Sequence, residues 1–112
     1  MKQIIRNIKW KIQRARRGYA DCDLWEFDEY LAQIIKEGCF ILAEQKGSYP
    51  SKDGMTLEKW KQILLDMSFG FGSYLEMRTG AYCTDKKEFK ELTKDFEKAK
   101  KLFITYFPNL WD

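Results

Sequence analysis

Residues 18–45 read Gly-Tyr-Ala-Asp-Cys-Asp-Leu-Trp-Glu-Phe-Asp-Glu-Tyr-Leu-Ala-Gln-Ile-Ile-Lys-Glu-Gly-Cys-Phe-Ile-Leu-Ala-Glu-Gln, and their reading decides the fold. The stretch opens with a turn, passes through a helix start signal and continues as a long apolar-periodic run. Asp23 has the side chain of an N-cap and Glu26 lies three places on, the spacing of a capping box. A helix is therefore predicted over about Leu24–Glu44. Phe27, Leu31, Ile34, Ile35, Gly38 and Leu42 fall on one side of it, with Tyr30 and Ile41 beside them. Trp25 and Phe40 point to roughly the opposite side, with Cys39 at the margin. Apolar groups on two sides imply a sandwiched helix. The expected cover for the second side is the first helix; the alternative is a partner surface anchored by Trp25.

Upstream, residues 3–16 pattern as a helix. Ile4, Ile5, Ile8, Ile12 and Ala15 lie within an arc of about 100° at 100° per residue. Lys2, Arg6, Lys9, Lys11, Arg14, Arg16 and Arg17 give residues 2–17 a charge of +7 with no acid among them. The whole chain is +3, so the remainder is −4. Trp10 lies among the cations, off the apolar face. The isoleucine face is expected to dock on the body of the chain. Two other readings are contact of the cations with nucleic-acid phosphates, with Trp10 stacking, and contact with a membrane surface or an acidic protein. Gly18 is expected to end this helix in the left-handed conformation.

Downstream, Gly47, Pro50 and Asp53-Gly54 mark a long loop over residues 46–55. Thr56 caps a third helix whose stripe is Trp60, Ile63, Leu64, Met67 and Phe71, with Tyr74 and Leu75 extending it. Gly70 and Gly72 interrupt that stripe. They either stop the helix near Ser68 or admit a close neighbour, and the pattern favours continuation to about Arg78, with Gly80 closing it. Asp85-Lys86-Lys87-Glu88 starts a last helix. Phe89, Leu92, Phe96, Ala99, Phe103 and Tyr106 form its heptad-like seam, which suits antiparallel packing or a short coiled-coil dimer. Pro108 ends it, and Phe107, Leu110 and Trp111 make an apolar tail.

The 112 residues suit one domain, 1–112, that hides roughly 60–70% of its unfolded surface. Two prolines, few β-branched runs and abundant Lys, Glu, Leu and Ala point to helices. The expected fold is all-α: a four-helix antiparallel bundle with a basic amphipathic N-terminal helix. No apolar run approaches the ~20 residues of a membrane span. Cys22, Cys39 and Cys83 are odd in number and widely spaced, and read as free thiols in a reducing compartment.

The residue inventory argues against catalysis. The chain has no histidine, which removes Ser-His and Cys-His nucleophilic sites and the commonest metal ligand. Asp21 and Asp23 lack the further ligands of a calcium loop, since Leu24 and Trp25 follow. Gly47 and Gly54 do not have the spacing of a phosphate loop. Cys22 lies near a helix start but has no base beside it in sequence. No catalytic residue, metal ligand or cofactor site is assigned.

Arg17-Gly18-Tyr19, the Asp21-Cys22-Asp23-Leu24-Trp25 helix start and the later Thr56-Leu57-Glu58-Lys59-Trp60 helix start resemble a group of small bacteriophage and prophage proteins. The resemblance covers residues 14–75. That group carries no assigned activity, so the likeness implies a source and a helical fold and transfers no catalytic residue. Phage origin implies a small accessory or counter-defence factor in the host cell cytoplasm. It would act by stoichiometric binding to a host or phage protein. The residues assigned to that binding are Trp10, Arg14, Arg16, Arg17, Tyr19, Trp25, Phe40 and Trp111. The alternatives are nucleic-acid binding through residues 2–17 and a nucleotide sponge at a subunit junction, and a homodimer would use the last helix or the tail.

Overall fold

A computed structural model describes residues 2–45, 47–78 and 86–110. Among them are four α-helices and no strand: α1 (Lys2–Arg17), α2 (Phe27–Glu44), α3 (Leu57–Arg78) and α4 (Lys86–Tyr106). The fold is all-α, as the apolar periodicities require. Residues 1–31 and 32–112 form two compact units, taken here in turn.

In the first unit α1 ends where a glycine permits it. Gly18 has φ of +88°, and its N–H donates to the Arg14 carbonyl at 3.0 Å. That is the single-bond left-handed cap. A 3-10 turn follows over Asp21–Leu24. The expected capping box does not form there. Asp23 lies inside this turn, and its carboxylate reaches back to accept from the Ala20 N–H at 2.8 Å. Asp23 thus fills the third position of a one-turn box rather than the cap of the long helix, and α2 begins only at Phe27. Trp25 consequently precedes α2 instead of lying on it. The isoleucine stripe of α1 is not covered from within its own unit. Ile4, Ile5, Ile8 and Ile12 are between 52 and 63% exposed, and α1 has no buried residue.

The second unit is built from residues 32–44 of α2, α3 and α4. Thr56 caps α3, its Oγ1 accepting from the Lys59 N–H at 3.2 Å. The helix runs unbroken through Gly70 and Gly72 to Arg78. Trp60, Leu64, Met67 and Phe71 are buried, the stripe that the spacing predicts. α4 runs antiparallel to α3: Trp60 meets Tyr106, Asp66 pairs with Lys98, Phe71 meets Phe96, and Thr93 Oγ1 donates to Met77 Sδ. The later part of the α4 seam packs within the second unit, while Phe89 stays 41% exposed. Ala99 is fully buried and Phe96, Phe103 and Tyr106 pack on the core. Pro108 lies two residues beyond Tyr106, the last residue of α4, in a 3-10 turn, Phe107–Asn109. Gly80, Cys83, Asp85 and Trp111 lie outside the described residues.

α2 is rotated from its expected register. Its buried residues are Ala32, Cys39 and Ala43, with Ile35 and Leu42 partly covered. Phe27, Leu31, Ile34 and Ile41 are between 41 and 55% exposed. The cause is backbone proximity. Ser68 on α3 donates its hydroxyl to the Lys36 carbonyl at 2.7 Å, and the Lys36 stem runs past Gly72. Small side chains fit such a close crossing and branched ones do not. A hydropathy wheel weights bulk, so it selects the wrong face.

Candidate functional site

The first unit gathers most of the residues assigned to binding. Arg14 grips Asp23 with two donors, Nε to Oδ2 at 3.2 Å and Nη2 to Oδ1 at 2.8 Å. Asp23 is 9% exposed at its side chain, so this paired fork is shielded on the acid side. Arg17 pairs with Asp21, donates to the Tyr19 carbonyl at 2.9 Å and lies over the Tyr19 ring at 4.4 Å. Trp10 on α1 meets Trp25 edge-to-face, centroids 5.5 Å apart and planes at 85°. Tyr30 closes the unit by donating its hydroxyl to the Gly18 carbonyl at 3.3 Å.

The electrostatics follow from these partners. The Asp23 carboxyl is held below its ordinary range by the hydrogen bond from Arg14, helped by the Ala20 N–H. Asp21 is lowered first by the hydrogen bond from Gln13 and then by that from Arg17. Arg14 is raised in turn by its bond to Asp23. Gln13 is a residue that sequence reasoning missed. It donates to Asp21 Oδ2 and accepts from the Asp21 N–H, both at 2.9 Å. No local pattern marks such a reciprocal clamp across eight residues.

Trp10, Arg14, Arg17, Tyr19 and Trp25 thus converge on one turn. Arg16 does not join them. It lies with Lys9 beside Ile5, Ile8 and Ile12, on the apolar side of α1. Arg14 and Arg17 each pair with an aspartate of this turn, and both side chains stay partly exposed. Trp25 remains 66% exposed although its edge is fixed by Trp10.

Phe40 belongs to the second unit, where it is 52% exposed. It lines a shallow groove with Lys36, Leu65, Phe69, Gly72 and Leu75. Phe69, at 66% exposure, is the more open of the two rings. The wheel carried a signal for it, since Phe69 falls opposite the Trp60–Phe71 stripe on α3. Trp111 lies outside the described residues.

Two free thiols lie among the described residues. Burial pushes the Cys39 thiol up to about 11. Cys22 accepts from Arg14 Nη2 at 3.5 Å. Among the described residues no three His, Cys, Asp or Glu side chains gather where a metal ion could sit, and no helix is long and apolar enough to cross a membrane. No protein-family model, curated protein or solved structure matches the chain.

Proposed function

We propose that the protein is a non-enzymatic helical interaction protein that binds a host or phage protein stoichiometrically through the turn after α1. The carrying observation is Trp25, an indole left 66% exposed yet fixed against Trp10. Tryptophan and arginine dominate binding energy at interfaces, and a side chain ordered before binding loses little entropy on docking. Arg17 stacked on Tyr19 extends the same surface. The phage source and counter-defence role rest on the motif resemblance over residues 14–75, and the host cytoplasm follows from that source. The four-helix antiparallel bundle with a basic amphipathic N-terminal helix belongs to the same proposal; the opposed run of α3 and α4 supports it.

Nucleic-acid binding is the weaker reading. Two of the seven cations in residues 2–17, Arg14 and Arg17, already pair with Asp23 and Asp21, and Lys9 approaches Asp21 at 3.9 Å. The test is affinity capture from host lysate with the native chain, Trp25→Ala and Arg17→Ala. A partner held by the native chain and lost from both variants supports the proposal. Equal recovery by all three chains overturns the assigned surface.

A further inference from the structure

A recess in the second unit gathers side chains whose hydrogen-bonding capacity is unspent. Leu57, Trp60 and Lys61, at i, i+3 and i+4 on the first turns of α3, form one wall. Leu42 and Gln45 at the end of α2, Ser48 in the loop, and Asn109 and Leu110 in the turn after α4 form the others. All of these lie within residues 32–112, so one unit builds the whole recess. Its volume is about 210 Å³.

Trp60 sets what the recess can hold. The residue is only 5% exposed, packed with Cys39, Ala43, Leu64 and Met67 and meeting Tyr106 edge-to-face. Among the described residues its indole N–H has no acceptor, and no fully buried side-chain nitrogen or oxygen goes without a partner. The N–H therefore reaches open space, and the open space that Trp60 lines is this recess. Lys61 forms no ion pair or hydrogen bond among the described residues, and neither do the side chains of Gln45, Ser48 and Asn109. Polar groups at a protein wall ordinarily find partners, and five unspent side chains around one cavity call for a ligand that supplies them.

We infer that the recess binds a small carboxylate with a short apolar body. The indole N–H and the Lys61 ammonium can only donate, and among the described residues no Asp or Glu lines the recess. The bound group must therefore accept hydrogen bonds, and a single negative charge matches the single ammonium. Leu42, Leu57 and Leu110 add apolar wall beside these donors. A short hydrocarbon chain covers such a wall and a bare oxyanion does not. Size sets the limit. A volume of 210 Å³ equals about seven waters of liquid at ~30 Å³ each, below the roughly 300–1,000 Å³ of sites for drug-sized ligands. That admits a short-chain organic acid and excludes a nucleotide. The core already immobilises Trp60, so docking a ligand costs little further ordering there. The recess uses no residue of the turn after α1 and stands independently of the partner proposed above.

The experiment follows the Trp60 indole N–H in proton–nitrogen correlation spectra of the full chain. The probes are acetate, isovalerate and benzoate at millimolar concentration, isovaleramide as the uncharged isostere of isovalerate, and inorganic phosphate as the bare anion. Isovalerate should shift the Trp60 resonance to saturation. Lys61→Met, which keeps the stem and removes the charge, should weaken that binding at least tenfold with helicity unchanged. Isovaleramide, a comparison that needs no substitution, should also bind at least tenfold more weakly, and phosphate should bind more weakly than isovalerate. No response to any of the three carboxylates overturns the inference, leaving a recess that holds water alone. So does equal binding of acid and amide, or a Lys61→Met chain that binds isovalerate as the native chain does. Phosphate binding as tight as isovalerate would remove the apolar part of the assignment and overturn it equally.

Discussion

Gly70 on α3 lies so close to Ala99 on α4 that a side chain at Gly70 has nowhere to go. A Cβ built there would fall within contact of the Ala99 methyl and 2.5 Å from the Asp95 carbonyl oxygen. Backbone is on one side of that clash, so neither helix can yield cheaply. This crossing brings Phe71 against both Phe96 and Phe103 and seals the centre of the second unit.

Gly70→Ala should therefore destabilise the protein although alanine is the better helix former. Overpacking of this kind costs about 1–3 kcal/mol, against about 1 kcal/mol gained in helix propensity. Gly72→Ala, two residues on, should be neutral or stabilising by up to about 1 kcal/mol, since its Cβ would meet only the Lys36 stem at 3.6 Å. Urea denaturation of the two variants checks the contrast. Equal effects would refute the close crossing.

Among the described residues, Leu64 and Met67 are the largest fully buried side chains. Leu64→Ala should lower stability by about 2–5 kcal/mol, the sum of lost burial and a residual cavity. The midpoint should fall with the denaturant slope unchanged. A loss under about 1 kcal/mol would mean that Leu64 is not at the centre of the core.

Thr56→Ala should cost about 1 kcal/mol by orphaning the Lys59 N–H, and Thr56→Ser should restore most of it. Thermal midpoints of the three proteins decide this. An unaffected alanine variant would remove the cap.

The turn that carries Trp25 should loosen in acid. Asp21 and Asp23 have folded values below their unfolded ones. Their stabilising effect is complete above the ordinary carboxylate value of about 3.9 and is lost as pH falls through the depressed folded values. Asp23→Asn should remove part of that acid dependence, because the amide binds no proton over this range. Near-ultraviolet circular dichroism against pH, for the native chain and Asp23→Asn, provides the check; superimposable curves would exclude a role for the Arg14–Asp23 pair.

Cys39 should resist alkylation at pH 8. A thiol pushed up to about 11 holds on the order of 0.1% thiolate there, and its burial denies access as well. Cys22, half-buried at the turn, should label before Cys39. Peptide mass spectrometry after a timed iodoacetamide pulse separates the two. Rapid native labelling of Cys39 would contradict its burial.

Sequence alone determined the helix class, the stop at Gly18, the start at Thr56 and the end at Pro108. Each depends on one residue's own backbone freedom or hydrogen-bonding side chain, so it is written locally. It also determined the stripe of α3, where bulk and burial coincide. Tertiary structure decided the register of α2, because close approach to α3 rewards Ala32, Cys39 and Ala43 over the larger residues that dominate a hydropathy wheel. It decided that Asp23 serves Arg14 and Ala20 rather than the long helix, since the Arg14–Asp23 pair spans nine residues and depends on where the chain turns. It decided that Trp25 meets Trp10 while Arg16 faces the other way. Short-range preference is readable in a string of residues; which groups share a space depends on how separate elements crowd together.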